Sequence, residues 1–163
     1  MAQSFQPTAF SYQPASVFTA IQTFNGSPSV AALKTANAKE ICTTSATAAT
    51  GTINYNITSQ SVLYYTSTAS ANWTVNFRAS DGVRLNTLMN VGESMTVAFF
   101  VAQGATAYYN NAVQIDGTAV TPLYQGGTAW TTGNASSTDS YVYTIVKTGN
   151  ATFTVFAAQT KFA

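Results

Sequence analysis

From Thr52 onward the chain alternates apolar and polar positions with the period of a β-strand. Ile53-Asn54-Tyr55-Asn56-Ile57-Thr58 follows it, and so does Trp73-Thr74-Val75-Asn76-Phe77-Arg78, which places Trp73, Val75 and Phe77 on a single face. Val62-Leu63-Tyr64-Tyr65-Thr66 is a third short run. Met95-Thr96-Val97-Ala98-Phe99-Phe100-Val101-Ala102 is apolar on both parities, which predicts a central strand with cover above and below. Ala112-Val113-Gln114-Ile115 and Ala119-Val120-Thr121 flank Asp116-Gly117, a hairpin signal. Tyr141-Val142-Tyr143-Thr144-Ile145-Val146-Lys147 and Thr152-Phe153-Thr154-Val155-Phe156 flank Gly149-Asn150 and predict a second hairpin.

Helical signal is sparse. Arg84-Leu85-Asn86-Thr87-Leu88-Met89 has apolar spacing suited to a short helix, with Asp81 as a candidate cap and Gly92 just past its end. Residues 104–111 and 124–139 read as irregular, the latter rich in Gly, Thr, Ser and Asn; a loop of that length contacts a partner or folds back over the sheet. About eight short strands separated by turn signals predict an all-β fold. The expected form is an antiparallel β-sandwich, jelly-roll-like, with an extended N-terminal arm.

The first fifty residues break the pattern. Residues 1–28 hold Pro7, Pro14 and Pro28 and the separated aromatics Phe5, Phe10, Tyr12, Phe18 and Phe24. Prolines at this spacing favour extended backbone. The aromatics have no local amphipathic period and must bury elsewhere. One or two helical turns are expected within residues 29–39, and 43–51 reads as a small-residue linker. The division expected is residues 1–50 as arm and linker, with Phe5, Phe10, Tyr12 and Phe18 as partner contacts, and 51–163 as the sandwich domain.

Composition narrows the chemistry. The chain has no histidine, six basic and five acidic residues, and a charged fraction of 7%, against ~25% in ordinary soluble domains. A surface of Thr, Ser, Asn and Gln offers little charge repulsion against self-association, so neighbours are expected to cover much of it. The six cations form no run, which argues against nucleic acid. No stretch of about 18 apolar residues predicts a membrane span. The first residues lack a basic start followed by an apolar run, so synthesis in a cytoplasm without a secretory signal is expected. Cys42 stands alone and reads as a small half-buried residue rather than a reactive thiol.

The segment from about Gly51 to Ala163 resembles a module of virion structural proteins of tailed bacteriophages, especially marine and cyanobacterial phages. The residues that carry the resemblance begin with Trp73-Thr74-Val75-Asn76-Phe77-Arg78, Leu85-Asn86-Thr87-Leu88-Met89 and Gly92-Glu93-Ser94. They continue through Gln103-Gly104, Ala107-Tyr108-Tyr109 and Gln114-Ile115-Asp116-Gly117-Thr118-Ala119-Val120-Thr121-Pro122. Gln125-Gly126-Gly127, Gly133-Asn134-Ala135-Ser136-Ser137 and the two long C-terminal runs complete the series. Leu123-Tyr124 stands where the module usually has Lys-Trp. The resemblance implies a C-terminal part of fibre-like or particle-associated proteins, with no catalytic role. It implies location in the virion, and as partners other copies of the chain (a trimer is one option) and other virion proteins. Head decoration is the competing placement.

Calcium needs several oxygen ligands at close spacing, whereas Asp81-Gly82 and Asp116-Gly117 are single acids better read as turn formers. Nucleophilic catalysis by Ser or Thr needs a base, and no Ser-x-x-Lys spacing is present. No cofactor, metal or catalytic residue is expected. Carbohydrate binding is the functional rival: Tyr108, Tyr109, Asn110, Trp130 and Asn134 place ring faces and amides on predicted loops that would suit a host surface glycan or a protein partner equally well.

Overall fold

The computed structural model describes residues 35–163 together with Ser27 and Leu33. The chain divides into two compact units, Met1–Ala38 and Lys39–Ala163, and the second is described here. It holds ten strands: β1 (Cys42–Ala48), β2 (Gly51–Asn56), β3 (Val62–Ser67), β4 (Trp73–Arg78), β5 (Ser94–Ala102), β6 (Asn110–Ile115), β7 (Thr118–Val120), β8 (Leu123–Tyr124), β9 (Thr138–Gly149) and β10 (Thr152–Phe162), with one short helix α1 (Leu85–Leu88). Two sheets form, one of six strands in the order β1-β3-β5-β9-β10-β8, the other of four in the order β2-β4-β6-β7.

The inward parities of both sheets meet in one buried cluster. Trp73, Val75 and Phe77 of β4 are at most 1% exposed, as the alternation predicted. Across the core Trp73 meets Tyr141 edge-on at 5.6 Å, and Phe77 meets Tyr143 at 5.0 Å. Tyr55 packs on Phe77 and Phe99 at 5.4 and 6.4 Å. Tilted and edge-to-face geometries of this kind set the positive ring edge against the negative face. The fold is therefore an all-β, sandwich-like body with an aromatic core.

Its topology differs from expectation. Among the ten strands antiparallel pairing is confined to β5–β9, β9–β10 and β6–β7. The pairs β1–β3, β3–β5, β2–β4, β4–β6 and β8–β10 are parallel. From β1 to β6 each strand lies in the opposite sheet from its predecessor, so the chain coils and strands two apart run the same way. That order is not a jelly roll's. Tight hairpins return only where the sequence carries turn chemistry: at Asp116-Gly117, with φ of 53° and 82°, and at Asn150-Ala151.

The expected linker over 43–51 is corrected as well. Cys42–Ala48 is strand β1, at the edge of the larger sheet, with Cys42 opposite Val62 and Thr44 opposite Tyr64. Its CTTSATA sequence has no apolar alternation because most of its side chains are exposed; backbone pairing holds it, with the Thr66 and Ser67 hydroxyls donating to the Ser45 and Ala46 carbonyls at 3.1 and 2.6 Å. Cys42 is exposed, not half-buried. β5 is central in its sheet, as expected, but buried on one parity only: Val97, Phe99 and Val101 are inside, while Ala98, Phe100 and Ala102 are part-exposed. Phe5, Phe10, Tyr12 and Phe18 lie outside the described residues, as do residues 29–32 and 34 of the helical turn expected within 29–39; Leu33 and residues 35–39 are not helical.

Candidate functional site

At one end of the sandwich β4 and β6 begin and β5 ends, beside the start of β9. This end is organised by Asp139, whose carboxylate is fully buried. It accepts hydrogen bonds from the Asn134 side-chain amide at 2.6 Å, from Gln103 Nε2 at 3.0 Å and from the Asn134 backbone N–H at 3.1 Å. The Tyr141 hydroxyl and Gln159 Nε2 stand at 3.5 Å. Among the described residues no cation contacts it, and neutral donors solvate the charge. Gln103 also donates to the Tyr108 carbonyl at 2.7 Å and accepts from the Tyr108 N–H at 3.0 Å, which ties the loop after β5 to the same centre. Gly133 closes the arrangement: a Cβ there would run into the Tyr108 carbonyl and sit 2.9 Å from the Asp139 carboxylate, so only glycine permits this approach.

The loop residues expected to face a ligand meet at this end, and most are used internally. Asn110 is buried; its amide donates to the Trp73 and Ala112 carbonyls at 2.9 and 2.8 Å and accepts the Tyr143 hydroxyl at 2.9 Å. The Trp130 indole N–H donates to the Asn110 carbonyl at 2.5 Å, and its ring stands edge-on to Tyr124 at 4.8 Å and to Tyr141 at 5.3 Å. Asn134 is held by Asp139. Tyr108 and Tyr109 are half-buried, with Tyr109 fixed through its N–H to Asn72 at 3.0 Å. Burial pushes the Tyr141 hydroxyl well above its usual range, and the Asp139 charge adds to this. Burial does the same to Tyr143, with smaller contributions from Tyr141 and Tyr124.

The opposite end is built around α1. Asp116, in the β6–β7 turn, accepts from the Leu85 and Asn86 N–H groups at 2.6 and 2.9 Å. At the other end of the helix the buried Lys147 ammonium donates to the Asn86 and Met89 carbonyls at 2.6 and 2.7 Å. An acid at the amide end and a cation at the carbonyl end satisfy groups that a four-residue helix leaves open. Asp81, the cap expected from sequence, instead pairs with Arg78 at the surface. Glu93 accepts from the Asn90 backbone and side chain at 2.7 and 3.0 Å, which holds its carboxyl below the usual range.

Asp139 and Lys147 were not singled out from sequence, although a signal was present. Both share the parity of Tyr141, Tyr143 and Ile145, the buried face of β9. A charge on a buried parity must have specific partners.

The two outer faces of the sandwich differ. On the four-stranded sheet Asn76 donates to Asn54 at 2.8 Å and Arg78 Nε donates to Asn56 at 2.7 Å, a ladder of polar side chains. On the six-stranded sheet the outward positions form rows such as Val62–Ala98–Val142–Ala158 and Tyr64–Phe100–Ser140–Thr160. No outward position of that sheet carries a charge; Asp139, Lys147 and Lys161 all fall on the other parity. Leu123, Val142, Phe156 and Phe162 are 58, 38, 47 and 54% exposed. A groove of about 530 Å³ runs between Leu123, Tyr124, Val142, Thr144 and Phe156.

Among the described residues no three His, Cys, Asp or Glu side chains are grouped to hold a metal ion, and no helix is long and apolar enough to cross a membrane. Comparison with protein-family models, curated proteins and solved structures gave no match.

Proposed function

We propose that this chain is a non-enzymatic structural protein of a tailed-phage particle. In this reading it is present in many copies, associated with the tail or fibre, and joined to its neighbours by buried surface and by its N-terminal segment. The observation that carries the reading is where the charges go. Asp116, Asp139 and Lys147 are committed to holding loops and the helix, while the outer face of the larger sheet is uncharged, with Leu123, Val142, Phe156 and Phe162 exposed among Thr and Ser side chains. Chemistry requires a polar group free to act on something else; assembly requires contact surface. The resemblance along residues 51–163 supplies the particle.

Localising the protein in a map of the intact particle tests this. Density for many copies at the tail supports the proposal, a lattice over the head moves it to the decoration alternative, and absence from the particle overturns it. Glycan recognition is the less favoured reading, because Asn110, Trp130 and Asn134 already use their polar groups within the fold, leaving Tyr108 and Tyr109 for such a role.

A further inference from the structure

Asn86, inside α1, engages every polar group it has, each with a different partner. Its backbone N–H donates to Asp116 Oδ2 at 2.9 Å, and its carbonyl accepts the Lys147 ammonium at 2.6 Å. Its side-chain Oδ1 accepts the Ala151 N–H at 2.8 Å, and Nδ2 donates to Asn150 Oδ1 at 3.1 Å. Asp116 lies in the β6–β7 turn of the smaller sheet, Lys147 on β9 of the larger, and Asn150-Ala151 in the turn between β9 and β10. Ala151 stands at a φ of 51°, a left-handed conformation unfavourable for a residue with a Cβ. Such a conformation persists where surrounding bonds over-determine it, and the Asn86 side chain supplies a bond to each residue of that turn.

We propose that Asn86 is the coupling residue of a clasp: α1, the β6–β7 turn and the β9–β10 turn open and close as one unit, separately from the end held by Asp139. A helix of four residues has too few internal bonds to hold itself and forms only with outside partners. Those partners are shared, since Asp116 also takes the Leu85 N–H and Lys147 also reaches the Met89 carbonyl. Loss of one therefore weakens the hold on the others, the condition under which a contiguous segment opens cooperatively below the global stability. Among the described residues the Asp139 centre shares no hydrogen bond with this set; its donors come from Gln103, Asn134, Tyr141 and Gln159. Asp139 and Lys147 lie toward opposite ends of β9, about 26 Å apart at the rise of an extended strand.

Native-state hydrogen exchange of the full chain in low urea tests this, because each end carries backbone N–H groups bonded to side chains. Leu85, Asn86 and Ala151 report the clasp, and Tyr108 and Asn134 report the Asp139 end. In the wild-type chain the proposal expects Leu85, Asn86 and Ala151 to exchange through one opening with one urea slope, and Tyr108 and Asn134 through another. Asn86→Ala leaves the Leu85 bond to Asp116 and the Met89 N–H bond to Leu85 in place. It should nonetheless speed exchange at Leu85 and Met89 by about tenfold or more, the scale of coupling within one hydrogen-bond network, and change Tyr108 and Asn134 by less than about twofold. Lys147→Met touches no bond of Ala151, yet should speed Ala151 by about tenfold or more, because coupling is reciprocal. Circular dichroism confirms that both variants are folded, and the wild-type exchange decides the matter without them. Acceleration confined to Ala151 in Asn86→Ala, or to α1 in Lys147→Met, overturns the proposal. So does a single opening common to all the reporting amides of the wild-type chain.

Discussion

Replacing Asp139 isolates the contribution of a buried carboxylate held only by neutral donors. Its three short hydrogen bonds, at 2.6, 3.0 and 3.1 Å, join β9 to the loops at residues 103–108 and 133–134. Hydrogen bonds to a charged group contribute about 1.5–3 kcal/mol each. Relief of the buried charge offsets part of that sum, and breaking a buried charged network by removing one member typically costs about 3–5 kcal/mol. Asp139→Ala is therefore expected to destabilise the domain by about 3–5 kcal/mol. Asp139→Asn keeps one acceptor but turns an N–H₂ toward a ring of donors, and should cost about 2 kcal/mol. At about 3–4 °C per kcal/mol for a chain of this size, the alanine variant should melt about 9–20 °C lower. Urea unfolding followed by tryptophan fluorescence reads both, because Trp73 and Trp130 stand edge-on to Tyr141 next to the carboxylate. An asparagine variant within about 0.5 kcal/mol of wild type, with an unchanged urea slope, would refute the reasoning.

Three further substitutions or titrations probe the same account. Gly133→Ala should cost more than about 2 kcal/mol, because the backbone carbonyl of Tyr108 occupies the space a Cβ needs; a melt within 2 °C of wild type would contradict the close approach. Lys147→Met leaves the Asn86 and Met89 carbonyls unpaired and should cost about 2–3 kcal/mol, with the fastest-exchanging new amides in α1 by hydrogen exchange. The hydroxyls of Tyr55, Tyr141 and Tyr143 titrate above their ordinary value of 10.0, chiefly through burial. Their contribution is complete below about pH 10 and is lost as pH rises toward the folded-state values, because the unfolded chain ionises first. Cooperative unfolding above pH 10, with the phenolate absorbance of these three buried tyrosines appearing together with loss of circular dichroism, is expected; phenolate formation by all nine tyrosines in a still-folded protein at the ordinary value would contradict it.

Period-two patterning made β4, β5, β9 and β10 legible, together with the inward set Trp73, Val75 and Phe77. It left strand direction open, because the alternation of a strand is the same whether its neighbour runs parallel or antiparallel. The coiled order from β1 to β6 was invisible for that reason. The first hairpin was readable because Asp116-Gly117 carries chemistry specific to a tight turn; Gly149-Asn150 marked the second one residue early, the observed turn being Asn150-Ala151 with the positive φ at Ala151. β1 escaped notice because its side chains are mostly exposed, so its sequence records no buried face. At the candidate site, sequence brought forward aromatic and amide loop residues but not their roles. Trp130 and Asn110 look alike in composition to ligand-facing residues, and only the 2.5 Å bond between them, with Tyr143 behind, shows that they hold the end of the sandwich. The acid that organises that end was readable from its parity in β9.

The central claim is that this polypeptide works by contact between copies. Native mass spectrometry of the full chain across a micromolar dilution series addresses it directly. The account predicts a defined oligomer that loses its higher-order species when residues 1–28 are removed, while the domain from Lys39 onward stays folded. A single monomeric mass at every concentration, unchanged by that truncation, would contradict it.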